Sequence, residues 1–107
     1  MNLTFLVSLF VVLASFTFRA EATEPHSYIP KAGYVPDHKT AIRIAEAVLE
    51  PIYGKKTIDS EQPFKARLQN DIWIVEGSSP KGDIFGGVAL VQIAKKDAQI
   101  LRVTHGK

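Results

Sequence analysis

From residue 63 onward, apolar and β-branched positions fall in four short runs, 64–69, 72–77, 87–94 and 99–105. Runs of this length and composition suit a pleated, half-buried surface and predict strands. Asn70-Asp71 separates the first two runs and reads as a two-residue hairpin turn. The four residues 95–98, Lys-Lys-Asp-Ala, form a slightly longer turn between the last two. The loop 78–86 is the longest connection between strands and carries Pro80, Gly82 and Gly86. The pattern predicts a four-stranded antiparallel meander.

Upstream the period changes. At about 100° per residue, Ala41, Ile42, Ile44, Ala45, Val48, Leu49 and Ile52 share one continuous arc, while Lys39, Arg43, Glu46, Glu50 and Tyr53 share the other side. This predicts a helix over 37–53, capped by the Asp37 carboxylate. Pro51 should kink the last turn or end the regular helix near Glu50, and Gly54 is a natural stop. Residues 23–36 read as an extended leader. Residues 55–62 read as a polar connector with Ile58 as a lone anchor. The fold class is therefore α+β: one amphipathic N-terminal helix packed on a curved four-stranded antiparallel meander, in a single domain over 37–107.

Strand parity adds a second feature. In the first strand Phe64, Ala66 and Leu68 share one face, opposite Lys65, Arg67 and Gln69. In the other three, Trp73, Val75, Ala89, Val91, Ile93, Leu101 and Val103 share a face, and Ile72, Ile74, Val88, Leu90 and Ile100 share the opposite one with Glu76, Gln92, Arg102 and Thr104. Both faces carry aliphatics, yet one helix covers only one. The second face is then closed by residues 28–35 or by the 78–86 loop, or its apolar excess is reduced by a bulge that swaps parity. Otherwise it stays open as a surface for a partner or for a homodimer. On the open reading, Ile72, Ile74, Val88 and Leu90 supply the apolar contact. Phe85 and Arg102 are the best anchors, since aromatic and Arg side chains dominate binding hot spots. Trp73 belongs to the core.

The first residues stand outside this domain. Residues 3–18 are uncharged and mostly apolar, and Arg19 and Ala20-Glu21-Ala22 follow. Such a stretch is short for a bilayer span but has the form of a signal peptide cleaved after Ala22. Lys and Arg are missing ahead of it, so an uncleaved anchor is the alternative. Cleavage leaves 85 of the 107 residues and implies a periplasmic or secreted product that meets the membrane only during export.

Composition narrows the chemistry. The net charge of +2 is scattered, without a Lys/Arg run, so a nucleic-acid surface is unsupported. With no cysteine there is neither a disulfide nor a thiol nucleophile. His26, His38 and His105 lack metal-ligand spacing, and His105 reads as a rim histidine. Ser78 and Ser79 lack a nucleophile-elbow context. Glu76 and Asp83 flank one loop as ordinary exposed carboxylates. Gly82, Gly86 and Gly87 lead into no helix and make no phosphate loop. No catalytic, cofactor-binding or metal-binding residues are expected.

One resemblance goes further. Gly33-Tyr34-Val35-Pro36-Asp37, Thr40-Ala41-Ile42, Ala45-Glu46-Ala47-Val48-Leu49 and Pro51-Ile52-Tyr53-Gly54 are followed by Pro63-Phe64-Lys65-Ala66, Trp73-Ile74-Val75-Glu76-Gly77, Gly86-Gly87-Val88-Ala89 and Thr104-His105-Gly106-Lys107. In this order and spacing they resemble the NTF2-fold immunity proteins of bacterial polymorphic toxin systems. The resemblance implies a non-catalytic protein that binds and neutralises a cognate protein toxin, on a minimal NTF2/cystatin-like plan. The larger NTF2 plan packs several helices on its sheet, and this chain offers one. The alternative from the residues alone is an envelope domain that binds a small ligand or peptide between helix and sheet.

Overall fold

The computed structural model describes residues 25–79 and 87–106. Its elements are α1 (His38–Tyr53), α2 (Lys55–Ser60), β1 (Lys65–Gln69), β2 (Ile72–Glu76), β3 (Ala89–Ala94) and β4 (Ile100–His105). The strands form one antiparallel sheet in the order β1-β2-β3-β4. Each strand is one residue shorter than its apolar run, except β3, which is two residues shorter. The expected signal peptide and Phe85 lie outside the described residues.

Local chemistry accounts for the helix start. The Asp37 carboxylate accepts from the Thr40 backbone N–H and hydroxyl, both at 2.8 Å. These bonds, the backbone one foremost, hold its pKa below the usual carboxylate value of 3.8. A depressed pKa means the cap contributes above the unfolded-state pKa and is lost as pH falls through the folded-state value. Asp37→Ala should therefore lower the unfolding midpoint at neutral pH. Its difference from wild type should shrink as pH is taken below about 3.8. A difference that persists undiminished in acid would separate the effect from the carboxylate.

Pro51 does not end α1. The helix continues to Tyr53, and the Gly54 N–H closes it on the Glu50 carbonyl at 2.8 Å. Both Pro51 and Ala47, one turn earlier, are exposed. The carbonyl deprived of its partner thus lies on the solvent side, where water replaces the lost bond. The connector also differs from expectation, since 55–60 is a short second helix that buries Ile58 completely. Six residues are too few to display a helical period.

The core lies between α1 and one face of the sheet. Ala41, Ala45 and Leu49 bring the helix down on β1, β2 and β3. Val35, Ile58, Phe64, Trp73, Val75, Ala89, Val91 and Ile93 complete the cluster. Fully buried Leu49, Ile58, Ile93, Val35, Val75 and Val91 each contribute about 1.5–3 kcal/mol through removal from water. Trp73 is core, as expected, and its indole N–H donates to the Val35 carbonyl at 2.8 Å.

The leader is tied to the turn end of the sheet. Tyr34 and Val35 donate their backbone N–H groups to the Lys96 and Lys95 carbonyls at 3.0 and 3.1 Å, and the Lys95 ammonium donates to the Ala32 carbonyl. Val35 then enters the core on the helix side. Asn70 and Asp71 both take positive φ, 51° and 63°, as a two-residue hairpin turn between right-twisted strands requires.

One strand breaks the expected parity. Gln92 pairs with Arg102 but Ile93 pairs with Ile100, so Leu101 is an extra residue in β4. Ile100 therefore turns to the core face, where it packs against the buried cluster. Leu101, assigned to the core by simple alternation, is 43% exposed. The bulge also blunts the free edge of β4 against pairing with another strand.

Candidate functional site

Apart from Phe85, the residues expected to meet a partner lie on the sheet face turned away from α1. Ile72 and Ile74 stand two apart on β2, and Leu90 stands on β3 with Val88 two residues before it. All four are half-buried. Ile74 pairs with Gln92, which makes Ile74 and Leu90 diagonal neighbours within side-chain reach. The bulge removes Ile100 from this face, leaving four of the five expected aliphatics. Arg102 is exposed beside Gln92. The structure thus joins Ile72, Ile74, Val88, Leu90 and Arg102 on one surface.

The registers turn this face into a grid. One row runs Arg67, Ile74, Gln92, Arg102 across the four strands. The next runs Lys65, Glu76, Leu90, Thr104. Aliphatics occupy the middle strands and basic side chains the edge strands. Arg67 also reaches diagonally to Glu76 at 3.1 Å. Arg67 is exposed and Glu76 partly so, and solvent screens the bridge, which therefore adds little stability.

At the opposite side of the sheet, the open strand ends hold a polar cluster that residue types alone did not reveal. Glu61, just after α2, is only 4% exposed. One carboxylate oxygen accepts from the Ala89 backbone N–H at 2.7 Å, and the other lies 2.7 Å from His105 Nε2. Its own carbonyl accepts from the Ser78 N–H at 2.7 Å. Glu61 thereby joins α2 to the ends of β2, β3 and β4. His105 is a half-buried inward residue rather than a simple rim histidine, and the Tyr53 ring lies 5.0 Å from it, tilted by 50°. Gly77 makes room, since a Cβ there would fall 2.6 Å from the Glu61 carboxylate. Both carboxylate oxygens are engaged, so the cluster fastens the fold. Its one sequence signal is the pairing of a lone Glu with a strand-end Gly, which is too common to single out.

Glu76 is taken up by Arg67, and Ser78 donates to the Pro63 carbonyl at 2.6 Å. Asp83 lies outside the described residues. Among the described residues no group of His, Cys, Asp and Glu is placed to hold a metal ion, and no helix is long and apolar enough to cross a membrane. An open groove of about 490 Å³ lies at the turn end, between Ile29–Gly33 of the leader and Asp71, Lys95 and Lys96. It is not between helix and sheet, where Leu49, Ile58 and Trp73 fill the space.

Comparison with known proteins adds an independent finding. A family described as NTF2 fold immunity protein matches residues 40–107. The chain is also similar to two proteins of Escherichia coli (strain K12). Uncharacterized protein YhhH is 33% identical over 73 residues, covering 68% of this chain and 58% of YhhH. Uncharacterized protein YbbC is 33% identical over 67 residues, covering 63% of this chain and 55% of YbbC. The chain thus spans little more than half the length of these relatives. No solved structure matches it.

Proposed function

The chain belongs to the NTF2 fold immunity protein family, and on that premise we propose that it binds and neutralises a cognate bacterial toxin in the periplasm, by stoichiometric contact and without catalysis. Family membership implies the toxin as partner. The observation that carries the mode of action is the outer sheet face. It holds Ile72, Ile74, Val88 and Leu90 in adjacent half-buried positions, while α1 rests on the other face. Burial of such side chains against a partner is a strong drive, about 1.5–3 kcal/mol for each when complete. The location rests on the uncharged stretch 3–18 and the Ala20-Glu21-Ala22 site that follows.

The test is protection from candidate toxin domains encoded beside this chain, each delivered to the periplasm of a sensitive strain. The exported chain should restore growth against one of them. Leu90→Asp, which sets a charge in the apolar strip, should abolish protection while the protein still accumulates. Restoration by a chain lacking residues 2–22, and none by the exported one, would refute the periplasmic reading. No protection against any toxin domain from either version would refute immunity.

A further inference from the structure

The outer face has a charge layout that its apolar content does not require. Among its described residues Lys65, Arg67 and Arg102 are basic and Glu76 alone is acidic. The basic groups stand on the two edge strands and the aliphatics on the two middle ones. Arg67 and Arg102 end the same row, three strand spacings apart, or about 14 Å at roughly 4.8 Å per spacing. Both are exposed. Arg67 already bridges Glu76 at 3.1 Å through one guanidinium nitrogen and keeps its other donors for a partner, and Arg102 has no cross-strand acid opposite it, since its partner is Gln92.

We propose that this face receives an apolar ridge of the toxin, about two strands wide, bordered on both sides by carboxylates that meet Arg67 and Arg102. The proposal rests on the toxin-binding reading and specifies the chemistry of the surface recognised. Cationic borders around an apolar centre favour a partner whose ridge is flanked by acidic groups, because opposed charges steer encounter and like charges reject wrong partners. The same layout disfavours a second copy of the chain, whose own basic borders would meet these. It also disfavours nucleic acid, since the centre is aliphatic and carries no aromatic platform. A membrane surface is a poorer fit as well. The aliphatics stand on sheet strands and are half-buried, instead of projecting from an exposed amphipathic helix.

The probe is the toxin domain selected by the protection assay, titrated against the chain as recovered after export. Affinity should fall about tenfold or more between roughly 50 and 300 mM salt, as screening shortens the reach of the borders. Arg67→Glu combined with Arg102→Glu should weaken binding about tenfold or more at low salt and flatten that dependence. Lys39→Glu with Arg43→Glu, the same charge change on the exposed side of α1, should leave affinity within about threefold. Wild-type affinity in the Arg67/Arg102 variant would overturn the charge-bordered face and leave immunity standing. Failure of the unaltered chain to bind the domain would remove both. Dimerisation at micromolar concentration that Leu90→Asp abolishes, or binding to phosphatidylglycerol vesicles that it abolishes, would assign the face to those occupants and overturn the proposal.

Discussion

Glu61→Ala should lower the thermal midpoint by about 10 °C or more, at 4–8 °C per kcal/mol for a domain of this size. The carboxylate is nearly inaccessible and engaged on both oxygens. Truncation leaves the Ala89 N–H without its acceptor in a buried position, at about 1–3 kcal/mol. It also leaves His105 Nε2 without its partner at the end of β4, with Nδ1 still against the Gly106 carbonyl, and a void against Gly77 and Phe64. Because Glu61 joins α2 to three strand ends, these losses fall on one cooperative unit. Glu61→Gln should lose less. Its amide oxygen still accepts from Ala89, and its amide nitrogen donates to a neutral imidazole. Differential scanning calorimetry of the three proteins is the check. A Glu61→Ala midpoint within about 2 °C of wild type would show that the cluster fastens nothing.

Gly33→Ala should release the leader from the sheet. Gly33 takes φ +88°, where a side chain is strained, and an added Cβ would fall 2.4 Å from the Lys95 carbonyl oxygen and 3.1 Å from the Lys96 Cα. The obstacles are backbone atoms, which cannot rotate aside. The φ alone costs about 1–2 kcal/mol. Relief by lifting the segment forfeits the Tyr34 and Val35 backbone bonds, each worth about 1 kcal/mol. Val35 would then leave the core, and its carbonyl would no longer accept from Trp73. Trp73 is the single tryptophan, so its emission reports the event directly. The expected result is a red-shifted emission maximum with a lowered midpoint. Unchanged emission and midpoint together would contradict the placement of the leader.

What the sequence revealed about this fold divides along physical lines. The α1 boundaries were legible because Asp37 and Gly54 act locally and the 3.6 period runs for four turns. The core face of β2 and β3 was legible because Trp73, Val75, Ala89, Val91 and Ile93 alternate without interruption, and all five are buried. The β4 assignments failed at Ile100 and Leu101, since a bulge depends on pairing with β3 and leaves no trace in either residue. The α2 helix was hidden by its length. Glu61 was hidden because its partners, Ala89 and His105, lie 28 and 44 residues away. The candidate site was legible in its residue types, but its basic borders emerged only when the registers set Arg67, Ile74, Gln92 and Arg102 in one row.

The most direct test of the central claim is titration calorimetry of the exported chain and its Leu90→Asp variant with the toxin domain against which it protects. Binding of one chain per toxin is expected. Leu90→Asp should bind about a hundredfold more weakly, the scale of losing one well-buried interface side chain, with an unfolding midpoint close to that of wild type. A folded Leu90→Asp chain that binds the toxin as tightly as wild type would contradict the outer sheet face as the neutralising surface.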